Sequence, residues 1–308
     1  MYSSSQLRRA LAHPEVFLRE ANRLYHRRGY RRRFNTAGTD IFAEDWDTLV
    51  ILDGCRRDLF EAQVDYSGRA ETRISRGSTT VEFLRGNLAG RDLLDTVYVT
   101  ANPQFYRHRD EFAARFHETI DVWRDSGWDE TYGTVLPETV TEHAIEAFEE
   151  YPDKRILVHY IQPHYPFLTD ETSFDKGYIE SSDGGEGDFW SRIFTGELEV
   201  DRDRLLELYR ANLERALPHV EVLLDNIAGK TIVTADHGNM VGERARPFPI
   251  REWGHPEGLY TDALVNVPWF VVEDGRRRKH ISGKPNEHES DVDDADVTDR
   301  LESLGYME

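Results

Sequence analysis

Residues 48–54 (TLVILDG) combine a short apolar run with a carboxylate and a glycine at its end. Residues 231–238 (TIVTADHG) repeat the pattern, with a histidine between the carboxylate and the glycine. Runs of this kind, rich in β-branched residues, are typical of buried strands in a parallel sheet. Open α/β sheets bind ligands beyond the carboxyl ends of their strands, so Asp53, Asp236 and His237 are predicted to meet there and to bind a metal ion.

The rest of the chain alternates strand-like and helical patterns. Apolar β-like runs recur around residues 97–99, 156–158 and 269–272. Helices are predicted between most of the strands, at residues 81–88, 112–117, 140–150 and 204–227. This alternation predicts an α/β fold with a mostly parallel central sheet sandwiched by helices. Residues 181–188 contain three glycines and are predicted to form a flexible surface insertion.

Composition limits the setting of the protein. The 308 residues include 38 basic and 58 acidic side chains, a net charge of -20, and only 5 of the bases are lysine. This acidity and arginine bias resemble haloarchaeal proteins and predict a strongly hydrated surface that salt would screen. We expect no nucleic-acid partner. The single Cys55 excludes an intrachain disulfide framework, and the absence of a long apolar run predicts a cytoplasmic protein.

The N-terminal segment is an exception to the acidic composition. Residues 6–33 mix apolar side chains with nine arginines in a pattern that predicts a basic amphipathic helix. Such a helix could lie on an anionic surface, in particular the inner face of the membrane. Alternatively, it could pack on the acidic body of the same protein, which is the interpretation we favour.

The acidic residues at the two strand ends have a simpler alternative role. Asp53 could cap the helix that begins near residues 55–60, because aspartate is a preferred N-cap. Asp236 and His237 together favour a metal more strongly, since both can reach one cation from a tight glycine turn.

Four sequence blocks, in this order, resemble the alkaline phosphatase superfamily and within it the sulfatase-like branch, which includes phosphonate monoester hydrolases and lipoteichoic-acid synthases. The blocks are residues 52–58 (LDGCRRD), 77–80 (GSTT), 159–167 (HYIQPHYPF) and 234–239 (TADHGN). Residues 254–256 (GHP) and the closing segment 300–306 (RLESLGY) extend the resemblance. It implies an alkaline phosphatase-like catalytic domain over residues 46–285, preceded by the basic helical segment 1–45. An acidic tail, 286–308, follows, with a short docking segment.

The resemblance implies a hydroxyl nucleophile that a metal ion activates to attack phosphorus or sulfur. Ser78, Thr79 and Thr80 are the candidates, and Thr80 matches the nucleophile position best. At least one of these hydroxyls is expected to cap the following helix. Cys55 is excluded as a formylglycine precursor, because it lies in the wrong block, and is expected to be a buried packing residue.

Further roles follow from the same resemblance. His255 is expected to be a fourth metal ligand or a cation facing the substrate, and His164 to contact the substrate or to protonate the leaving group. Asn102 and Arg56 are expected to bind the anion. His159 is expected to support the site from its strand. One essential ion is predicted, Mn²⁺ or Zn²⁺ rather than Ca²⁺ or Mg²⁺.

Two functions remain open at this point. The first is a metal-dependent hydrolase or transferase of phosphate or sulfate esters, whose anionic substrate could be linked to a glycan or lipid. The second is a catalytically silent relative that binds a partner through its basic N-terminal helix.

Overall fold

A computed structural model describes residues 14–124, 127–168, 189–286 and 294–306. Residues 6–13 of the basic segment, the glycine-rich residues 181–188 and residues 287–293 of the acidic tail lie outside these ranges. Among the described residues, the strands are β1 Thr48–Leu52, β2 Arg69–Ile74, β3 Asp92–Thr100, β4 Arg115–Asp121, β5 Trp128–Asp129, β6 Thr134–Val135, β7 Arg155–Tyr160, β8 Gly229–Thr234, β9 Met240–Arg244, β10 Arg251–Gly254 and β11 Asn266–Asp274.

The described helices lie mostly between these strands. They are α1 Glu15–His26, α2 Arg57–Gln63, α3 Thr80–Leu88, α4 Gln104–Arg107, α5 Arg109–Phe112, α6 Pro137–Glu150, α7 Phe189–Phe194, α8 Arg202–Asn226, α9 Asp262–Val265 and α10 Asp294–Ser303. None of these helices is both long and apolar enough to cross a membrane.

The central sheet has seven strands in the order β2-β11-β8-β1-β7-β3-β4. The five strands from β8 to β4 run parallel, whereas β11 is antiparallel to β8 and β2. The predicted α/β architecture with a mostly parallel sheet is therefore confirmed. Because the five parallel strands share one direction, their carboxyl ends lie along the same edge of the sheet.

Both faces of the sheet are covered. Alternate residues of β1 point to opposite sides, so that Val50 and Leu52 pack under α6 and α8, while Leu49 and Ile51 pack against α3. Every residue of β1 is buried, as expected for a strand in the middle of a doubly covered sheet.

One predicted helix is wrong. Residues 112–117 were expected to be helical, but α5 ends at Phe112 and β4 begins at Arg115. Ala113 between them has a φ of 47°, which stops the helix, and the following residues pair with β3 at the edge of the sheet. A strand at an edge can carry polar residues on its exposed side, so its sequence lacks the apolar run that marked the central strands.

Candidate metal centre and catalytic site

Three ionisable side chains meet at the carboxyl edge of the parallel strands. Asp53 directly follows β1, Asp236 follows β8, and His159 is the penultimate residue of β7. All three are fully buried, and one ligand atom from each lies within 4.8 Å of the others. The structure thus brings Asp53 and Asp236 together, as the strand-end argument predicts, and adds His159 to them.

Each aspartate uses one of its oxygens in hydrogen bonds with the protein. Asp53 Oδ2 accepts from Asn102 Nδ2 at 2.6 Å and from the Tyr306 hydroxyl at 2.7 Å. Asp236 Oδ1 accepts from the backbone N–H of Gly54 at 2.9 Å and of His237 at 2.8 Å. These bonds fix the direction of both carboxylates.

The other atoms of the group are bare. Asp53 Oδ1, Asp236 Oδ2 and His159 Nε2 have no hydrogen-bond partner among the described residues, although all three are buried. Buried polar atoms in native proteins are nearly always paired, and an unpaired group of this kind could bind a metal ion. Two carboxylates with an imidazole are also a donor set that suits Zn²⁺ or Mn²⁺.

His237 lies beside this group and presents a fourth candidate donor atom. Its Nδ1 lies 2.7 Å from the carbonyl of Gly238, which can only accept, so we assign the ring proton to Nδ1. In the neutral ring, Nε2 then presents a lone pair at 3.4 Å from Asp236 Oδ2 and 3.6 Å from Asp53 Oδ1. These three atoms are all hydrogen-bond acceptors and repel one another, and a cation bound between them would remove that repulsion.

The electrostatics of the site also favour a bound cation. Burial and the nearby charge of Asp53 raise the pKa of Asp236 above its ordinary value. A buried carboxylate beside a second one is costly to ionise without a counter-ion, and a divalent ion would remove that cost.

The three candidate hydroxyls have different surroundings. Thr80, the first residue of α3, places Oγ1 at 3.4 Å from Asp53 Oδ2 and at 3.4 Å from His237 Nε2. The side chain of Thr79 is the N-cap of α3 and accepts from the backbone N–H of Glu82 at 3.3 Å. Ser78 donates to the buried Glu82 carboxylate at 2.9 Å. Of the three, Thr80 is therefore the one beside the proposed metal ligands.

Two further histidines lie against this centre. His164 Nδ1 faces the Tyr165 carbonyl at 2.7 Å, and its Nε2 lies 2.9 Å from His255 Nε2. With the His164 proton assigned to Nδ1, His255 donates from Nε2 and its buried Nδ1 has no partner among the described residues. Burial, together with His237 and His164, lowers the pKa of His255 well below its ordinary value, which disfavours the cationic form that was one of its two expected roles.

The residues expected to bind the anion are held by other groups. Asn102 donates to Asp53, which makes it a positioning residue for that carboxylate. Arg56 forms two hydrogen bonds with Asp58, at 3.0 and 2.7 Å, and donates to Glu243 at 2.7 Å. Cys55 is buried, and burial raises the pKa of its thiol, as expected of a packing residue.

A cleft of about 240 Å³ opens above Thr80. Its lining includes Thr79, Thr80, His255 and Tyr306, together with the basic residues Arg19 and Arg85 and the acidic residue Glu257. Both arginines also pair with carboxylates, Glu252 and Glu111 respectively. His255 lines the cleft, whereas His164 lies behind it, against the Tyr306 ring at a centroid distance of 4.8 Å.

The sequence did not predict that His159 is itself one of the clustered candidate ligands, nor that Tyr306 donates a hydrogen bond to Asp53. A signal for His159 existed, because an ionisable residue within the apolar run 156–160 needs a buried partner. The register partner of His159 on β1 is Ile51, two residues before Asp53. No comparable local signal marks Tyr306, whose contact depends on the path of the last residues.

Comparisons with known proteins gave structural matches alone. No protein-family model matches the chain, and no curated protein does either. The chain is similar to the C-terminal periplasmic domain of EcEptC from Escherichia coli in complex with Zn, at 11% identity and a TM-score of 0.45. That match covers 77% of this chain and 75% of the other.

Two further solved structures also match the chain. The integral membrane protein lipooligosaccharide phosphoethanolamine transferase A from Neisseria meningitidis matches at 13% identity and a TM-score of 0.47, over 74% of this chain and 48% of that one. A 2-O GAG sulfatase matches at 10% identity and a TM-score of 0.45, over 80% of this chain and 67% of that one. At identities of 10–13% and TM-scores below 0.5, these similarities concern the fold alone.

Proposed function

We propose that this protein is a metal-dependent hydrolase or transferase of phosphate or sulfate esters, with Thr80 as its nucleophile. The observation that carries the proposal is the position of Thr80 Oγ1 at the base of the cleft, 3.4 Å from both Asp53 Oδ2 and His237 Nε2. Asp53, Asp236, His237 and His159 would hold the ion, with His255 as a further candidate ligand. We favour Zn²⁺ or Mn²⁺ over Ca²⁺ or Mg²⁺, because imidazole nitrogens are part of the donor set.

The bound ion would supply a positive charge that makes the threonine hydroxyl acidic and neutralises charge developing on the ester. Thr80 Oγ1 gives its proton to solvent water and forms a bond to phosphorus or sulfur, while the bond to the leaving alkoxide breaks. His255 lines the cleft, and its lowered pKa disfavours the imidazolium, so we assign it a hydrogen bond from Nε2 to the ester oxygens rather than transfer of a proton. The leaving alkoxide takes its proton from solvent water. Water then releases the threonine ester in a hydrolase, and an acceptor alcohol does so in a transferase.

The cleft and the composition of the chain bear on the substrate class and on the cellular location of this reaction. The substrate class we propose is an anionic ester linked to a glycan or a lipid; Arg19 and Arg85 line the cleft, and each is paired with a carboxylate in the structure. The proposal keeps the halophilic setting and the cytoplasmic location that the composition predicts. A peripheral membrane contact through residues 6–33 is a separate proposal, which depends on the outward face of α1.

The proposal is tested by turnover of p-nitrophenyl phosphate, its phosphodiester, a phosphonate monoester and the sulfate ester, after loading with Zn²⁺ or Mn²⁺ in concentrated salt. Thr80→Ala should lower turnover of the best substrate by about 100-fold or more, because it removes the attacking group. Mass spectrometry after acid quenching should find the phosphoryl or sulfuryl group on Thr80.

Thr79→Ala is the matched control. It removes the N-cap of α3, which costs about 1 kcal/mol of stability, but leaves the nucleophile in place, so turnover should stay within a few-fold of wild type. Equal turnover by wild type and Thr80→Ala would contradict the assignment. Absence of turnover of all four esters, with metal demonstrably bound, would favour the silent binding protein instead.

A further inference from the structure

Helix α1 has its polar side turned inward and its apolar side turned outward. Asn22 is fully buried, donates to the carbonyl of Phe248 at 2.9 Å and accepts from its N–H at 2.8 Å. Arg19 forms an ion pair with the buried Glu252 and stacks on the Phe194 ring at 3.3 Å from its centroid. The favoured packing of this helix on the acidic body is therefore present in the structure, and it is made by polar side chains.

The opposite side of α1 presents large apolar residues to solvent. Phe17 is 51% exposed and Tyr25 is 65% exposed, and Leu18 and Leu24 are also exposed. Positions 17 and 24, like 18 and 25, are seven residues apart, which places all four on one side of the helix. A contiguous exposed apolar strip of this kind indicates a surface that is covered in the working protein. We name these four residues the apolar strip.

Positive charge lies at the end of the apolar strip. Arg28 and Arg31 are exposed, and neither pairs with a carboxylate among the described residues. Arg28 and Arg32 line a cavity of about 540 Å³ beside Tyr25, and Asp262 is the single acidic residue in its described lining. In a chain with a net charge of -20, this local excess of unpaired arginine is complementary to an anionic surface.

We propose that the apolar strip, together with Arg28 and Arg31, docks the protein on an anionic lipid bilayer. Stable peripheral binding needs both an inserted apolar face and basic residues near the headgroups; α1 carries the apolar strip, and Arg28 and Arg31 follow shortly after its last residue, His26. The inward side of the same helix contributes Arg19 to the cleft, so docking holds the cleft close to the lipid surface. The proposal extends the proposed function without depending on it, because binding to lipid requires no turnover.

Flotation of the full chain with lipid vesicles tests the proposal. Wild type should float with vesicles of equal phosphatidylglycerol and phosphatidylcholine, and at least about tenfold less with phosphatidylcholine alone. The double variant Arg28→Gln and Arg31→Gln should lose about 25-fold in partitioning, since each basic residue near an anionic surface contributes about fivefold. The variant Phe17→Ser and Leu24→Ser should lose at least about tenfold at every salt concentration, because its loss is apolar.

Val222→Ser is the matched control, because Val222 is 47% exposed but lies on α8. It should float like wild type, and all variants should keep the wild-type melting temperature. Flotation of the Phe17→Ser and Leu24→Ser variant at the wild-type level would overturn the proposal. Absence of wild-type flotation would overturn it too, and sedimentation would then ask whether a second copy covers the strip. Turnover of a soluble aryl ester, measured in parallel, separates this failure from a failure of the proposed function.

Discussion

Replacing Asp236 by asparagine should affect the stability of the metal-free protein and that of the metal-bound protein in opposite directions. In the metal-free protein Asp236 Oδ2 is buried and unpaired, and the charge of Asp53 helps raise the pKa of Asp236. Asp236→Asn removes one of two buried like charges, so the metal-free variant should melt at or above the temperature of metal-free wild type. The same change removes one anionic ligand, so added metal should no longer stabilise the variant.

The size of the effect follows from linkage. A ligand present at about 100 times its dissociation constant stabilises the folded state by about 2.7 kcal/mol. For a domain of this size that free energy corresponds to a rise of about 5 °C in melting temperature. Wild type, stripped with a chelator and titrated with Zn²⁺ or Mn²⁺, should therefore show a shift of about 5 °C, and Asp236→Asn should show less than about 1 °C.

Scanning calorimetry of both proteins, with elemental analysis of bound metal, measures these shifts. Asp47→Asn is the matched control. Asp47 is equally buried, but it forms ion pairs with Arg277 and His280, whereas Asp236 lies beside a second carboxylate. It should lower the melting temperature and keep the metal-induced shift. The reasoning is refuted if Asp236→Asn retains the full shift, or if metal-free wild type is clearly more stable than the metal-free variant.

Three other predictions concern neighbouring residues. His159→Gln should lower the bound metal per chain and raise the metal concentration needed for half-maximal stabilisation; unchanged titration would mean that His159 only supports the strand. Tyr306→Phe removes a hydrogen bond to Asp53 and should weaken metal affinity by about tenfold, measured by competition with a chelator, whereas equal affinity would count against a positioning role. Burial raises the pKa of the Asp121 carboxyl to about 6. The ionised carboxylate therefore lowers the free energy of unfolding above that pH. This loss disappears as the pH falls towards the lower pKa that the carboxyl has in the unfolded chain. Relative to Asp121→Asn, wild type should therefore lose about 2 kcal/mol of unfolding free energy between about pH 4.5 and about pH 7.5, and parallel pH curves from denaturant melts would contradict this.

Central strands could be predicted from the sequence because a strand that is buried on both faces is an almost continuous apolar run. The apolar runs at residues 48–52 and 231–235 coincide closely with β1 and β8. Edge strands carry no such mark. β2, with the sequence RAETRI, is mostly exposed and was not predicted, and β4 was mistaken for a helix. Their strand character comes from hydrogen bonds to β11 and β3, which no local pattern reveals.

The site shows the same division. Asp53 and Asp236 could be placed because each ends a recognisable strand, and the edge of a parallel sheet brings such ends together. The choice among three adjacent hydroxyls required the true start of α3, since Thr79 caps the helix while Thr80 lies in its first turn. Ser78 donates to Glu82, four residues later, and no local pattern predicts that this carboxylate is buried.

The hydrogen bonds of Asp53 distinguish between the two roles that the sequence left open for it. A capping aspartate accepts from the first backbone N–H groups of its helix. The N-cap of α2 is instead Arg56, which makes no side-chain capping bond, and Asp53 accepts from Asn102 and Tyr306. Those donors hold Oδ2 and leave Oδ1 bare beside Asp236 Oδ2, which is bare as well. A carboxylate with a purely structural role would be satisfied on both oxygens when fully buried, so this arrangement favours a cation as the missing partner.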